Sequence, residues 1–414
     1  MVITDLGEIK MSKVYIVNAK RSPIGKFLGS LSTLSAGNLA GQVIKAIIED
    51  SNIDKKEIDE VVIGNVLSAG QGQGLARQAA IEAGIPIEVP AYSVNMVCGS
   101  GMKTIMNSYC QIKSGMANII VAGGVELMSQ APFMSDSKVR LGNKMGNMEF
   151  RDSIVSDGLT DVFNKYHMGI TAENIVDKYE ISRESQDEFA IKSQNKAIKA
   201  IDNNKFIDEI VPIEVKTRKE TILINEDEYP NRNTNIEKLS TLRAAFKKDG
   251  TVTAGNASGI NDGASIVIIA SEEAVKRLNL EPMAEIVAIG QGGIDPSIMG
   301  LGPVPAIEDA LNRSNIEMSD IDLIELNEAF AAQSLGVIEE LKSKYDLNNE
   351  WFEERTNVNG GAISLGHPLG ASGTRIVTTL VHEMKKRKST YGLASLCIGG
   401  GMGTAMIIKS VVNS

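Results

Sequence analysis

Ser51-Asn52-Ile53-Asp54-Lys55-Lys56-Glu57-Ile58-Asp59 returns 263 residues later as Ser314-Asn315-Ile316-Glu317-Met318-Ser319-Asp320-Ile321-Asp322. Five of the nine positions are identical, and two more exchange one acid for the other. Each copy follows a helical apolar pattern: Leu39, Val43, Ile44, Ile47 and Ile48 in one case, Ile307, Ala310 and Leu311 in the other. Each leads into an apolar strand, Val61-Val62-Ile63 and Leu323-Ile324-Glu325-Leu326. A second echo, Val94-Asn95 and Val358-Asn359, keeps the spacing at 264. Each Val-Asn precedes a glycine turn, a helix and a buried strand. The helices carry Met102, Ile105, Met106 and Tyr109 in the first half. They carry Ile376, Val377, Leu380, Val381 and Met384 in the second. The strands are Ile119–Ala122 and Leu393–Leu396. An ordered series of echoes predicts a duplicated α/β unit, with strands alternating with helices.

This reading divides the chain into a first half at 11–125, completed by 251–275, and a second half at 276–414. Residues 126–250 have no counterpart and are polar, with a helix expected near Arg183–Ala200; they read as an inserted lid or loop domain. Residues 1–10 read as a loose extension, and 346–355 has no reading.

At 414 residues, with 43% hydrophobic and 23% charged residues, the composition is that of a globular chain of two or three domains. No apolar run approaches the ~20 residues that span a bilayer, so no membrane role is expected. The first ten residues carry Asp5, Glu8 and no Arg, unlike a signal or transit peptide. Three cysteines cannot all pair, which predicts free thiols in a reducing cytoplasm. A net charge of −10 argues against nucleic acid. Positive charge gathers locally at Lys216, Arg218, Lys219, Arg232, Arg243, Lys247 and Lys248. That stretch is either a solvated loop or a phosphate-binding rim.

The chemistry sits in three glycine turns. These are Asn95-Met96-Val97-Cys98-Gly99-Ser100-Gly101, Gly366-His367-Pro368-Leu369-Gly370-Ala371-Ser372-Gly373 and Cys397-Ile398-Gly399-Gly400-Gly401-Met402-Gly403. Glycine lets backbone approach a ligand and offers N–H donors unobstructed by a Cβ. A thiol beside such donors, with a histidine to take its proton, is a nucleophile and its base. A second thiol allows a second proton transfer. Cys98 and His367 fall in equivalent loops. Both helix starts are therefore expected to face one site with free N–H groups, and the Cys98 thiolate is expected to be favoured there.

These motifs, with Val17-Asn18-Ala19-Lys20-Arg21-Ser22-Pro23-Ile24-Gly25 and Asn327-Glu328-Ala329-Phe330-Ala331-Ala332-Gln333, resemble the thiolase family over nearly the whole chain. The resemblance implies a ping-pong acyltransferase that joins two acetyl-CoA molecules to acetoacetyl-CoA and CoA through an acetyl-cysteine. By resemblance, Cys98 is acylated, His367 is its base and Cys397 is the second proton-transfer group. Asn327, through a held water, joins His367 in one oxyanion site; N–H groups of Cys98 and Gly399 form the other. Substrate binding is assigned to Ser258, Phe246, Ala254, Ala329 and Phe330 along the pantetheine tunnel, and to His167 and Met168 as a cap on a short acyl group. Lys216, Arg218, Lys219 and Arg232 are assigned to CoA. Relatives often carry Arg at position 231, which is Asn here, and Arg232 is expected to substitute. The family implies a homotetramer or homodimer and no cofactor beyond CoA thioesters as substrates.

The Cys-Gly-Ser-Gly and His167-Met168-Gly169 sequences favour the biosynthetic, short-chain reading over a degradative 3-ketoacyl-CoA thiolase. A non-catalytic acyl-CoA carrier has no use for Cys98, His367 and Cys397 together. A condensing ketosynthase wants a second histidine where Cys397 stands. Gly399–Gly403 is not a dinucleotide fingerprint, because only 11 residues follow Gly403. No paired ligand spacing suggests zinc. Cys110 reads as a core thiol and His382 as a surface residue. His167 reads either as an ordinary loop histidine or as a substrate contact.

Overall fold

The computed structural model describes residues 12–411; the reading of residues 1–10 lies outside them. Nine strands carry the architecture: β1 (Val14–Arg21), β2 (Glu60–Gly64), β3 (Ala91–Val94), β4 (Ile119–Leu127), β5 (Asn261–Ser271), β6 (Ala284–Gly293), β7 (Leu323–Leu326), β8 (Tyr391–Ile398) and β9 (Met402–Ser410). They pair in the order β7-β8-β9-β6-β1-β5-β4-β2-β3, and the two-residue strand Gly25–Lys26 adds to β5. The order is close to a palindrome about β6 and β1. Those two strands meet through only two residue pairs, Tyr15 with Glu285 and Ile16 with Ala284. On each side an antiparallel set gives way to parallel pairing, β4 with β2 and β8 with β7, and the first side adds β3 in parallel to β2. The duplication read from the sequence is therefore a duplication in space.

The repeated segment is a device for stopping a helix and starting a strand. Helix α1 (Ala36–Ser51) ends at Asn52 with φ 50°, and helix α5 (Pro303–Ser314) ends at Asn315 with φ 55°. Asn tolerates this left-handed conformation better than most residues. A single 3-10 turn follows in each copy, at Lys55–Glu57 and Met318–Asp320. The last residue of each copy then pins the neighbouring strand. Asp59 accepts from the N–H groups of Asn118 and Ile119 at 2.6 and 2.9 Å. Asp322 accepts from Thr390 and Tyr391 at 2.7 and 2.9 Å.

Between α1 and α5 in the chain lie α2 (Ser100–Lys113), α3 (Met168–Tyr179) and α4 (Arg183–Asp202); α6 (Ala331–Tyr345) and α7 (Leu369–Arg387) follow α5. Strand side chains alternate between faces, so each half-sheet feeds two cores. Val61, Ile63, Val121 and Ile268 pack outward beneath α1. Val62, Ile120, Ile269, Leu396 and Ile408 pack inward around α2 and α7. Leu393, Ala405 and Ile407 pack beneath α5. The equivalent helices α2 and α7 thus form a central layer between the half-sheets. They touch where Gly101 and Gly373 face each other's backbone: a Cβ on Gly373 would lie 2.5 Å from the Met102 nitrogen. Any larger residue there separates the helices that follow Cys98 and His367.

This central position corrects two readings. His382 is buried, with Nε2 2.8 Å from the Ala19 carbonyl, because α7 is covered along almost its whole length. Cys110 is exposed; it continues the less buried stripe of Lys103 and Asn107 rather than the stripe of Met102 and Ile105. Residues 346–355 supply a short helix, Asn349–Arg355, whose Phe352 is buried beneath α5 and α6. The 126–250 segment forms three hairpins with α3, α4 and a short helix, Ile236–Ser240. Among the described residues, no helix is long and apolar enough to cross a membrane.

Candidate active site

Three turns converge on one apolar cavity of about 320 Å³. Its walls include Cys98, His367, Cys397 and Gly399, brought from loops nearly three hundred residues apart. Cys98 follows Val97, a β-branched residue at φ 47°. Such a conformation costs on the order of 1–3 kcal/mol and marks a backbone held for a purpose. The thiol is half-buried, packed against Val66, Leu67, Met128 and Leu369. Its sulfur accepts from the backbone N–H groups of Gly399 and of Cys98 itself. These are the donors expected for one oxyanion site.

Desolvation pushes the Cys98 thiol up to about 11, outweighing the two N–H donors, and the Glu126 carboxylate adds to the rise. The expectation of a favoured thiolate is thus corrected. The helix-start argument fails for α7 as well. The Gly370 N–H is taken by Glu126 at 2.8 Å, and Ala371 and Ser372 N–H bond to the Pro368 carbonyl. Three N–H groups at the start of α7 are therefore taken within the protein.

His367 is fixed through both its ring and its backbone. The Ser372 hydroxyl donates to the Pro368 carbonyl at 2.9 Å, so it accepts from His367 Nδ1 at 2.6 Å. That network assigns the proton to Nδ1 and leaves a bare lone pair on Nε2. Nε2 is buried and has no partner among the described residues. Burial, reinforced by the nearby Arg375 charge, lowers the imidazole to about 4. At neutral pH the resting pair is therefore thiol and neutral base. One consequence is measurable. Alkylation of Cys98 by iodoacetamide should climb about tenfold per pH unit from pH 7 to 10 and level off near pH 11. A plateau beginning near pH 7 would mean a resting thiolate.

Cys397, next to last in β8, is buried; desolvation raises its thiol strongly, and Cys98 adds to that rise. Asn327 follows β7. The neighbouring Leu326 backbone is clamped by Asn357, which accepts from Leu326 N–H at 2.9 Å and donates to its carbonyl at 2.7 Å. Both amide atoms of Asn327 are buried without a partner among the described residues. A buried amide left wholly unpaired is rare and is a sign of a polar ligand.

The remaining wall comes from the inserted segment and the 254–260 loop. Ala254, Ser258, Ala329 and Phe330 line it, and Ser258 N–H bonds the Ala329 carbonyl at 2.9 Å. His167 caps α3, its Nδ1 accepting from Gly169 N–H at 3.0 Å, and its ring stacks on Phe246 at 4.5 Å between centroids. Met168 lies over the Gly399 turn; a Cβ there would meet its terminal methyl at 3.3 Å.

The structure does not bring the basic residues into this cavity. Lys216 ends a hairpin strand whose Ile213 and Val215 are buried in the core beneath α1, and it lines a separate groove along that helix. Arg218 and Lys219 stand exposed in the hairpin turn. Arg232 pairs with Asp202 at 2.7 Å on the surface, and Asn231 N–H bonds Gln194. Sequence reasoning missed Ser372 and Asn261. Asn261 accepts from the His367 N–H at 3.0 Å and donates to the Gly25 carbonyl. Ser372 stood inside a quoted motif, but nothing in the spacing marked it as the histidine's partner.

Comparison with known proteins agrees with this geometry. Residues 14–273 match the family "Thiolase, N-terminal domain" and residues 280–410 match "Thiolase, C-terminal domain". A probable acetyl-CoA acyltransferase of Staphylococcus aureus is 53% identical over 400 residues, covering 96% of this chain and 99% of that protein. The crystal structure of the Bacillus anthracis acetyl-CoA acetyltransferase superposes with a TM-score of 0.92 at 43% identity, over 97% of this chain and 99% of the other. Human mitochondrial 3-ketoacyl-CoA thiolase in complex with CoA gives 0.90 at 45% identity, over 97% and 99%. With both family domains matched in order around a cavity that holds Cys98, His367 and Cys397, this chain belongs to the thiolase family.

Proposed function

We propose that this chain catalyses reversible Claisen condensation of two acetyl-CoA molecules to acetoacetyl-CoA and CoA through an acetyl group on Cys98. The observation that carries the reading is geometric: His367, with Nε2 left without a partner among the described residues, lines one cavity with Cys98 and Cys397. His367 Nε2 takes the Cys98 proton as sulfur attacks the thioester carbonyl. The N–H groups of Cys98 and Gly399 stabilise the oxyanion that forms at that carbon. The C–S bond to CoA then breaks. Cys397, a thiol at rest, gives its proton to the departing CoA sulfur and is left as a thiolate.

That thiolate is the base the second half-reaction requires. It removes a proton from the methyl carbon of acetyl-CoA, while Asn327 and His367, with a water between them, hold the enolate oxygen. The carbanion attacks the acetyl carbonyl on Cys98, a C–C bond forms, and the Cys98 sulfur leaves with the proton held by His367. Each group regains its resting protonation: Cys98 takes back its proton from His367, and the proton Cys397 gave to CoA is replaced by one from the methyl carbon. The first CoA departs before the second substrate reacts. Initial-rate plots at several fixed concentrations of the second substrate should therefore be parallel; intersecting lines would require a ternary complex.

The short-chain preference rests on Met168 over Gly399 and on His167 stacked against Phe246. Acetoacetyl-CoA should be cleaved much faster than 3-ketohexanoyl- or 3-ketopalmitoyl-CoA, and Met168→Ala should narrow the difference. Comparable kcat/KM for the sixteen-carbon substrate would instead favour the degradative reading. A reducing cytoplasm as the setting is supported by three free cysteines. Assembly as a homodimer or homotetramer is supported by the apolar side chains exposed on the 133–150 segment, among them Phe133, Leu141 and Met145.

A further inference from the structure

One fully buried carboxylate takes no part in these steps. Glu126, on β4, accepts four hydrogen bonds. Oε1 receives Asn65 Nδ2 at 2.9 Å and Leu67 N–H at 3.0 Å. Oε2 receives Val66 N–H at 3.0 Å and Gly370 N–H at 2.8 Å. Three donors belong to the loop after β2, and the fourth belongs to the start of α7, three residues beyond His367. Val66 and Leu67 pack against Cys98 itself. The junction is tight. A Cβ on Gly124 would lie 1.9 Å from the Gly370 carbonyl oxygen, and one on Gly101 would lie 2.8 Å from it.

Glu126 stands near the end of β4, and Asn65 lies just past the end of the parallel neighbour β2, so one carboxylate joins both strand ends to the start of α7. We propose that Glu126 is a positioning residue, its carboxylate fixing the separation of Cys98 and His367 by tying the loop under the thiol to the helix that follows the base. The proposal rests on Cys98 being the acylated residue.

The test uses Glu126→Asp, which keeps the charge but shortens the reach, and Glu126→Gln, which keeps the length but turns one acceptor into a donor facing N–H groups. Acetylation of Cys98 by acetyl-CoA is followed by mass spectrometry, and the folded fraction of each variant is read from its near-ultraviolet circular dichroism and thermal transition. Wild-type protein must first show acetyl on Cys98; if it does not, the acyl-transfer reading fails and not this one. In both variants, folded molecules should acetylate Cys98 about 100-fold more slowly, the scale of a misplacement near 1 Å. KM for acetyl-CoA should stay near its wild-type value. Acetylation at the wild-type rate in folded molecules would overturn the proposal. So would a loss that merely tracks the unfolded fraction, since that describes a structural role only.

Discussion

Cys98→Ala should reduce thiolysis and condensation to background, a loss on the order of 10⁴-fold or more, while CoA still binds. The thiol is the acceptor in the first half-reaction and the leaving group in the second, so no step survives without it. No neighbouring group can take over. Cys397 is buried, and its thiol is raised even further. Cys110 is exposed on the far stripe of α2. The alanine variant should remain folded. Cys98 packs at the edge of its cluster, and trimming one sulfur from a half-buried position costs about 1 kcal/mol. CoA binding measured by calorimetry should be within a few-fold of wild type. Residual turnover above about a thousandth of wild type would mean that another group carries the acyl chain.

Cys397→Ala should fail in a different way. It should still accept an acetyl group on Cys98, slowly, because His367 and both N–H donors are intact. It should not form carbon–carbon bonds. The methyl group of a thioester is a weak acid, and removing the positioned base typically costs roughly 10²–10⁴-fold. His367 is committed to Cys98, and its Nδ1 is tied to Ser372. Glu328 is no substitute: its carboxylate is buried and held by Ser193, Asn357 and the Ile363 N–H. The readout is deuterium exchange into the methyl group of acetyl-CoA in D₂O, followed by NMR. Wild-type enzyme should exchange and the variant should not. Exchange at the wild-type rate would remove Cys397 from the role of base.

Much of this was legible in the sequence because the duplication is carried by local signals. Asn52 and Asn315 stop helices, Asp59 and Asp322 start strands, and apolar spacing marks both central helices. Glycine turns likewise exposed Cys98, His367 and Cys397, since each turn is a contiguous motif. What sequence could not show is how distant groups meet. The Cys98 ionisation was misjudged because a helix start read in isolation offers free donors, whereas here desolvation wins and Glu126 occupies the start of α7. His382 was misplaced because one amphipathic stripe does not reveal a helix buried on every side. The Lys216 stretch was assigned by charge alone, and charge does not say which face a hairpin presents. Ile213 and Val215 decide that by burying against the core beneath α1.

The central claim is that Cys98, activated by His367, carries the acyl group. Incubation with acetyl-CoA, rapid acid quench, digestion and mass spectrometry tests it directly. The account predicts a 42 Da gain, about the mass of one acetyl group replacing a proton, on the peptide holding Cys98, lost again on addition of CoA. His367→Ala should slow its appearance at least about 100-fold. Acetyl found on Cys397 or Cys110 with Cys98 bare would contradict the account.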